Sequence, residues 1–388
     1  MDSGRVDLVH VCYGGEGGQL AAAQTLARGF TCTGLRSGAV ALGPAEVIVS
    51  DPRAWVDMAE VHIVPLRSRG DISSMLGTAK AIRAMRPRVV LCHSHRHAPA
   101  AFLGQLLSGR RPRMLVVEHH SIPLRSRMDN FRSAIALALS RGVALLSLEY
   151  QEAYPLRRAW LPGARRQFIV PNGVDLTLFP RNGAKTNGGG RDGRIILGMA
   201  SRLVPSKQHD VLIRALALLR SGESPLDAEL RIAGEGPTAD QLRELSRDLG
   251  VADRVTFLGH VEGDDLISFF RELDIYTHGT LGEGLSIALL EAAAAALPIV
   301  ASDVVGVHGI FVNGETAVLV PDSDAGAMAT GIQVAADTFI GPAIGRRARE
   351  MVELEYSCEV VVHGYLEAMG DIDRRGPWAR AATGSERI

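Results

Sequence analysis

Strand-length apolar runs alternate with helical patterns along the whole chain, and this alternation limits the fold more than any other feature. In the first half the runs fall near Val6–Cys12, Val61–Leu66, Val89–His93, Met114–Glu118, Val143–Leu148 and Phe168–Val170. Helical stretches such as Gln19–Arg28 and Ser73–Met85 lie between them. In the second half the runs fall near Ile195–Met199, Glu229–Ala233, Val255–Leu258, Asp274–Tyr276, Ile299–Ala301 and Ala317–Val320. Helical patterns near Gln208–Leu219, Thr238–Leu249, Asp264–Leu273 and Ser286–Ala296 separate those. Runs without polar alternation indicate strands covered on both faces, and intervening helices indicate parallel pairing. The expectation is an α/β chain with two doubly wound domains. Its 388 residues are enough for two such cores.

Punctuation between the halves agrees. Residues 181–194, "RNGAKTNGGGRDGR", are rich in Gly and Asn and lack any large apolar side chain, which predicts a linker. The expected organisation is a first domain over 1–180, this linker, and a second domain over 195–340. A helical segment over 341–370 would cross back to the first domain, and residues 371–388 would form a frayed tail. Charge divides along the same line. Residues 1–180 hold 22 Lys+Arg against 13 Asp+Glu, and the remainder holds 20 against 30. Part of the basic excess clusters as Arg110, Arg111, Arg113 and then Arg125, Arg127, Arg132. Such a cluster is either a solvated basic face or a surface for an anionic acceptor or anionic lipid. No apolar run reaches about 18 residues, so no membrane span is expected. The start "MDSGRVDLVH" has no signal-peptide pattern, and Cys12, Cys32, Cys92 and Cys358 form no CxxC pair. A cytoplasmic location with reduced thiols is the expectation.

Ligands of open parallel sheets bind beyond the carboxyl ends of the strands. Four loops of the second half lie at such ends. They carry Arg202 and Lys207, then Gly234-Glu235-Gly236, then Gly259-His260, then "THGTLGEGLS" over 277–286. The chain holds only three lysines (Lys80, Lys185 and Lys207) in an arginine-rich composition. Lys207 in a loop of this kind suits a point-charge phosphate binder. In "GEGLSIALLEAAAA" (282–295), Glu283 and Glu291 are eight residues apart. On one helix they would be separated by about 80° and would not share a face. Gly284 argues for a loop at Glu283, and Ser286 is an N-cap candidate before an apolar helix that carries Glu291. The N–H groups around Leu285, Ser286 and Ile287, directly after Gly284, then form an anion site suited to phosphate. A carboxylate on each side of that phosphate can accept hydrogen bonds from sugar hydroxyls.

"GEGLSIALLEAAAAALPIVASD" (282–303) resembles the signature of retaining GT-B glycosyltransferases of family 4, the glycosyl transferases group 1. The resemblance extends over "VPNGVD" (170–175), "GMASRLVPSKQHDVLIRAL" (198–216), "RIAGEGP" (231–237), "VTFLGHV" (255–261) and "GETAVLVPDSD" (314–324). It implies the GT-B fold, with two doubly wound Rossmann-like domains facing across a cleft. It implies transfer of a sugar from a nucleotide-sugar, read as a UDP-sugar, to an acceptor hydroxyl with retention and without a metal. Glu283 would hold donor-sugar hydroxyls, Glu291 the ribose, and Arg202 and Lys207 the diphosphate. Gly234 and His260 would line the donor site. No cofactor is expected, since the nucleotide-sugar is a co-substrate, and no nucleic-acid partner is expected. The acceptor would be a small molecule, a glycan or a lipid-linked glycan held by the first domain, with peripheral contact to an anionic membrane.

The glycine-rich stretch "CYGGEGGQLAAAQTLARGF" (12–30) resembles the family's first loop, where Gly14, Gly15, Gly17 and Gly18 would approach the substrates. Its spacing fits neither a dinucleotide fingerprint nor a Walker loop. "RMLVVEHHS" (113–121) resembles the family's strand ending in a histidine near the reacting sugar. His119 aligns best, with His120 as the neighbour off by one. His93, His95 and His97 also gather at a carboxyl edge, and with Glu118 they suggest a zinc site as the rival reading. A nucleotide-sugar epimerase and a non-catalytic sugar-nucleotide binder are the other rivals. Asp322-Ser323-Asp324 imitates a metal-binding DxD, but its place before a helix predicts an N-cap. The chain departs from the family pattern at Ala296 and Ala317, where glycine is frequent, and at His308-Gly309, where a glutamate is common.

Overall fold

Where the sequence writes uninterrupted apolar runs, the chain forms buried parallel strands. A computed structural model describes residues 6–14, 18–43, 55–66, 72–93, 95–109, 111, 113–119, 125–179, 193–222 and 225–384. It divides into two units, residues 1–173 with 358–388, and residues 174–357. The expected linker falls almost wholly outside the described residues, as do Gly15, Gly17 and His120.

The first unit contains β1 (Leu8–Tyr13), β2 (Ser37–Gly43), β3 (Glu60–Pro65), β4 (Val89–Cys92), β5 (Met114–Val117), β6 (Gly142–Leu145) and β7 (Gln167–Ile169). Its helices within this stretch are α1 (Gly18–Cys32), α2 (Ile72–Met85), α3 (Ala98–Leu107), α4 (Arg127–Leu139) and α5 (Leu148–Ala153). The strands are parallel in the order β3-β2-β1-β4-β5-β6-β7. The order reverses direction between β1 and β4, which is the switch point of a doubly wound sheet. Strand β2 has no counterpart in the sequence reading. Its "SGAVALG" is rich in small residues of low strand propensity, yet all seven residues are buried.

The second unit contains β8 (Ile195–Ala200), β9 (Ala228–Ala233), β10 (Val255–Gly259), β11 (Ile275–His278), β12 (Ile299–Ser302) and β13 (Val318–Val320). Its helices are α6 (His209–Ser221), α7 (Ala239–Asp248), α8 (Gly263–Glu272), α9 (Ile287–Ala294), α10 (Ala325–Ala335) and α11 (Ile340–Glu355). The parallel order β10-β9-β8-β11-β12-β13 repeats the first topology, with its switch point between β8 and β11. Leu197, Met199, Leu216, Leu230, Ile232, Ile275, Val300 and Ile332 pack into its core. Helix α9 ends at Ala294 with Ala295 as its C-cap, and Ala296 follows with φ +57°, the left-handed position that glycine usually fills. The departure noted in the sequence therefore places a Cβ in a strained conformation. Ala317, the other such departure, is fully buried.

The expected helical segment over 341–370 is two helices. Helix α11 packs on α9 within the second unit. Helix α12 (Cys358–Ile372) packs on α1 and belongs to the first. The frayed tail is corrected by the structure. Residues 378–384 form α13, with Trp378 only 1% exposed in the same cluster as Phe30, Val361 and Tyr365. Asp373 anchors this end: it accepts from Arg88 at 3.0 Å and lies 3.3 Å from Arg113.

Candidate active site

The loops after β8 and β11 meet at the switch point of the second sheet. Leu281 N–H donates to the Ser206 carbonyl at 2.9 Å, and the Thr280 hydroxyl donates to the same carbonyl. Thr280 N–H is held by the Ser302 hydroxyl at 3.0 Å, and Glu283 N–H by the Val305 carbonyl at 3.1 Å. The loop from β12 also presses close. Gly306 has φ +83°, and a Cβ there would lie 2.4 Å from the Glu283 carbonyl oxygen. Only glycine allows that approach.

These contacts deliver Lys207 and Glu283 to each other. Lys207 Nζ forms an ion pair with Glu283 Oε1, and His278 Nε2 lies 2.8 Å from the same oxygen. His278 Nδ1 lies 3.3 Å from the Tyr276 hydroxyl. Glu283 is 8% exposed, and burial alone would raise its carboxyl. The Lys207 and His278 contacts outweigh burial and hold it down at about 2. His278, fully buried, is lowered by burial despite Glu283, so it stays neutral at physiological pH. The family resemblance implies different parts of a donor for Lys207 and Glu283; in the structure they are each other's partner. His278 was missed, although it stands five residues before Glu283 at the carboxyl end of β11.

Glu291 behaves in the opposite way. It lies on α9, half-buried, and among the described residues no side chain bonds to its carboxylate. Burial pushes its carboxyl up to about 8. Ser286 occupies the N-cap position of α9, but its hydroxyl accepts no cap hydrogen bond, so the helix start is left to another acceptor. Gly284 and Leu285 are buried just ahead of it, and Ile287 is half-buried. Arg202 is exposed beside the loop. Gly234, at φ +141°, passes so close to the β8 loop that a Cβ would meet the Ser201 carbonyl oxygen at 2.0 Å. His260 is exposed at the end of β10, 3.2 Å from Glu262. Asp324 caps α10 by accepting from Ala327 N–H at 2.9 Å, as its place before the helix predicts. Ser323, at φ +59°, hydrogen-bonds the Gln208 amide, itself at φ +41°.

In the first unit, Gly14 directly follows β1 and its N–H donates to the Leu42 carbonyl at 2.7 Å. Gly18 opens α1 and is exposed. His119 is half-buried after β5 and lies 3.0 Å from His93. Glu118 is not left for a metal. It accepts from Arg125, Ser133 and Tyr154, each at 2.9 Å. Arg125 opposes burial by this pairing and keeps the Glu118 carboxyl below the usual range. The pair also corrects the basic surface: the Arg125 side chain is 1% exposed and belongs to the interior. Among the described residues no group of three or more His, Cys, Asp or Glu is arranged to hold a metal ion. Among them also, no helix is long and apolar enough to cross a membrane.

Two doubly wound parallel sheets of this order define the GT-B fold, and solved structures agree. HepE of Anabaena, in complex with UDP and glucose, superposes with TM-score 0.77 over 95% of this chain and 100% of its own, at 16% identity. Sucrose-phosphate synthase of Thermosynechococcus elongatus gives 0.71 over 96% and 99%, at 20% identity. Residues 194–337, most of the second unit, match the family Glycosyl transferases group 1. A D-inositol 3-phosphate glycosyltransferase of Stackebrandtia nassauensis is 34% identical over 40% of this chain and 38% of its own. A GDP-mannose-dependent alpha-(1-6)-phosphatidylinositol monomannoside mannosyltransferase of Mycolicibacterium smegmatis is 30% identical over 61% and 64%. The chain thus spans between about two fifths and two thirds of the length of these relatives.

Proposed function

We propose that the chain is a glycosyltransferase that moves a sugar from a nucleotide-sugar to an acceptor hydroxyl, with retention and without a metal. The observation that carries this reading is the Lys207–Glu283–His278 cluster at the switch point, beside a helix start whose cap serine makes no cap bond. A departing nucleoside diphosphate gains negative charge in the transition state. A fixed cation and an open helix N-terminus aimed at that charge are the groups that stabilise it. On binding, Lys207 would exchange the Glu283 carboxylate for diphosphate oxygen, with Arg202 assisting from the surface. Glu283, ionised and oriented by His278, would accept hydrogen bonds from donor-sugar hydroxyls. Glu291 would accept them from the ribose. The donor is read as a UDP-sugar, in line with the HepE complex; the mannosyltransferase name favours a GDP-sugar as the second reading.

The acceptor would be held by the first unit, with Gly14 and His119 among its contacts. The relatives are named for inositol-bearing acceptors, and the excess of Arg over residues 1–180 suits an anionic one. A phosphorylated or lipid-linked polyol is therefore proposed, with peripheral contact to anionic lipid where the acceptor is membrane-borne. A cytoplasmic location goes with that supply of nucleotide-sugar. The test is nucleotide release from UDP- and GDP-sugars, with inositol phosphates or phosphatidylinositol vesicles as acceptors. Lys207→Ala should lower release at least a hundredfold, about 3 kcal/mol of transition-state stabilisation. Full activity in that variant would overturn the phosphate role.

A further inference from the structure

Three imidazoles stand in line in the first unit. His10 lies within β1, His93 directly follows β4 and His119 follows β5, three neighbouring strands of the sheet. His10 Nδ1 and His93 Nε2 are 3.1 Å apart, and His93 Nδ1 and His119 Nε2 are 3.0 Å apart. Both pairs of rings stack with centroids 5.3 Å apart. His10 and His93 are buried, and His119 is the end with access to solvent. Burial holds His10 down at about 3 and His93 well below its ordinary range, so neither takes a second proton at physiological pH.

A neutral ring has one N–H and one bare nitrogen, so with His119 neutral as well the chain has two proton arrangements. In the first, every Nδ1 carries the proton. His10 then donates to His93, His93 donates to His119, and His119 keeps an N–H at Nδ1. In the second, every Nε2 carries it. The bonds then run inward, and His10 is left with an N–H at Nε2. That atom is buried without a hydrogen-bond partner among the described residues. Its ring sits 6.0 Å from that of Phe30, which belongs to an apolar cluster with Leu8, Leu26 and Tyr365. Orphaned buried N–H groups are rarer than under-satisfied acceptors, so the first arrangement wins.

We infer that His10 and His93 are positioning residues that lock the His119 proton on Nδ1. His119 then has no bare nitrogen to offer: Nε2 is engaged by His93 and Nδ1 is protonated. It can donate a hydrogen bond to an oxygen of the sugar substrates, but it cannot be the base that takes the acceptor proton. The identity of that oxygen rests on the glycosyl-transfer reading; the tautomer does not.

The test is long-range ¹H–¹⁵N correlation on the full chain labelled at histidine nitrogen, with His10→Phe and His119→Gln for assignment. His119 should show a protonated Nδ1 and a bare Nε2. A protonated Nε2 on His119 overturns the inference, even in an active enzyme. Kinetics supply the second readout. His93→Leu should lower kcat about tenfold with donor KM nearly unchanged, the loss of roughly one charge-free hydrogen bond. His93→Gln should recover most of it, because its amide N–H still donates to Nε2. Equal kcat in wild type and His93→Leu would overturn the positioning role. Should no sugar nucleotide release nucleotide at all, the glycosyltransferase reading falls while the nitrogen shifts still decide the tautomer.

Discussion

Replacing Glu291 with Gln should stabilise the folded chain, although the residue is assigned to the donor site. The carboxyl ionises near 4.5 when free of the fold and at about 8 within it, because burial disfavours its charge. Between those limits the unfolded chain has lost the proton and the folded chain retains it. Folding therefore takes up a proton, and stability falls as pH rises from about 4.5 and levels off above about 8. At about 1.4 kcal/mol for each pH step, the ceiling is about 3 kcal/mol at pH 7. Glu291 is half-buried, and water at its exposed edge reduces that to about 1–3 kcal/mol. Glutamine keeps the shape and removes the charge. Urea unfolding of both proteins at pH 5, 7 and 8.5 reads the difference. Glu291→Gln should match the parent near pH 5 and exceed it by a margin that grows with pH. Its affinity for UDP should fall most above about pH 8, where the parent side chain is ionised and a carboxylate is a better acceptor for hydroxyls than an amide. A margin that does not change with pH, or a less stable variant at pH 8.5, would refute the reasoning.

Other changes separate local strain from packing. Ala296→Gly removes a Cβ from a left-handed residue; relief of about 1 kcal/mol or more outweighs glycine's unfolded-state entropy, for a net gain of about 0.5–1 kcal/mol in urea unfolding. Trp378→Ala should cost about 3–5 kcal/mol, measured in the same way, since the indole is buried in the first unit's core. Glu118→Gln leaves Arg125 as a buried unpaired charge, and a loss of about 3–5 kcal/mol in thermal or chemical unfolding is expected.

Both sheets were legible in the sequence because their strands are runs of Val, Ile and Leu covered on two faces. Strand β2 was not, because Ser37, Gly38, Ala39 and Ala41 owe their strand to tertiary packing and not to their own preference. The loop–helix division of "GEGLSIALLE" followed from helical phase and from Gly284. The Lys207–Glu283 contact did not, since it joins residues 76 apart through loops that only the sheet topology brings together. Histidines within strands were equally opaque. His10 reads as one more buried strand position, and only the neighbouring strands reveal what its ring touches. Arg125 shows the same limit from the other side. An arginine among arginines reads as surface until Glu118, Ser133 and Tyr154 are found around it.

The division at Val174 and Ser357 has a consequence for how the chain is made. The first sheet is complete by Ile169, yet α12 and α13, which cover one of its faces, come only after the whole second unit. At synthesis rates of about 5–20 residues per second, that face waits roughly 10–40 s for its cover. During that interval Leu26, Phe30 and Val170 lack the partners that α12 and α13 bring, whereas the second unit is one uninterrupted segment. Newly made chains should therefore depend on holding chaperones for the half that is translated first.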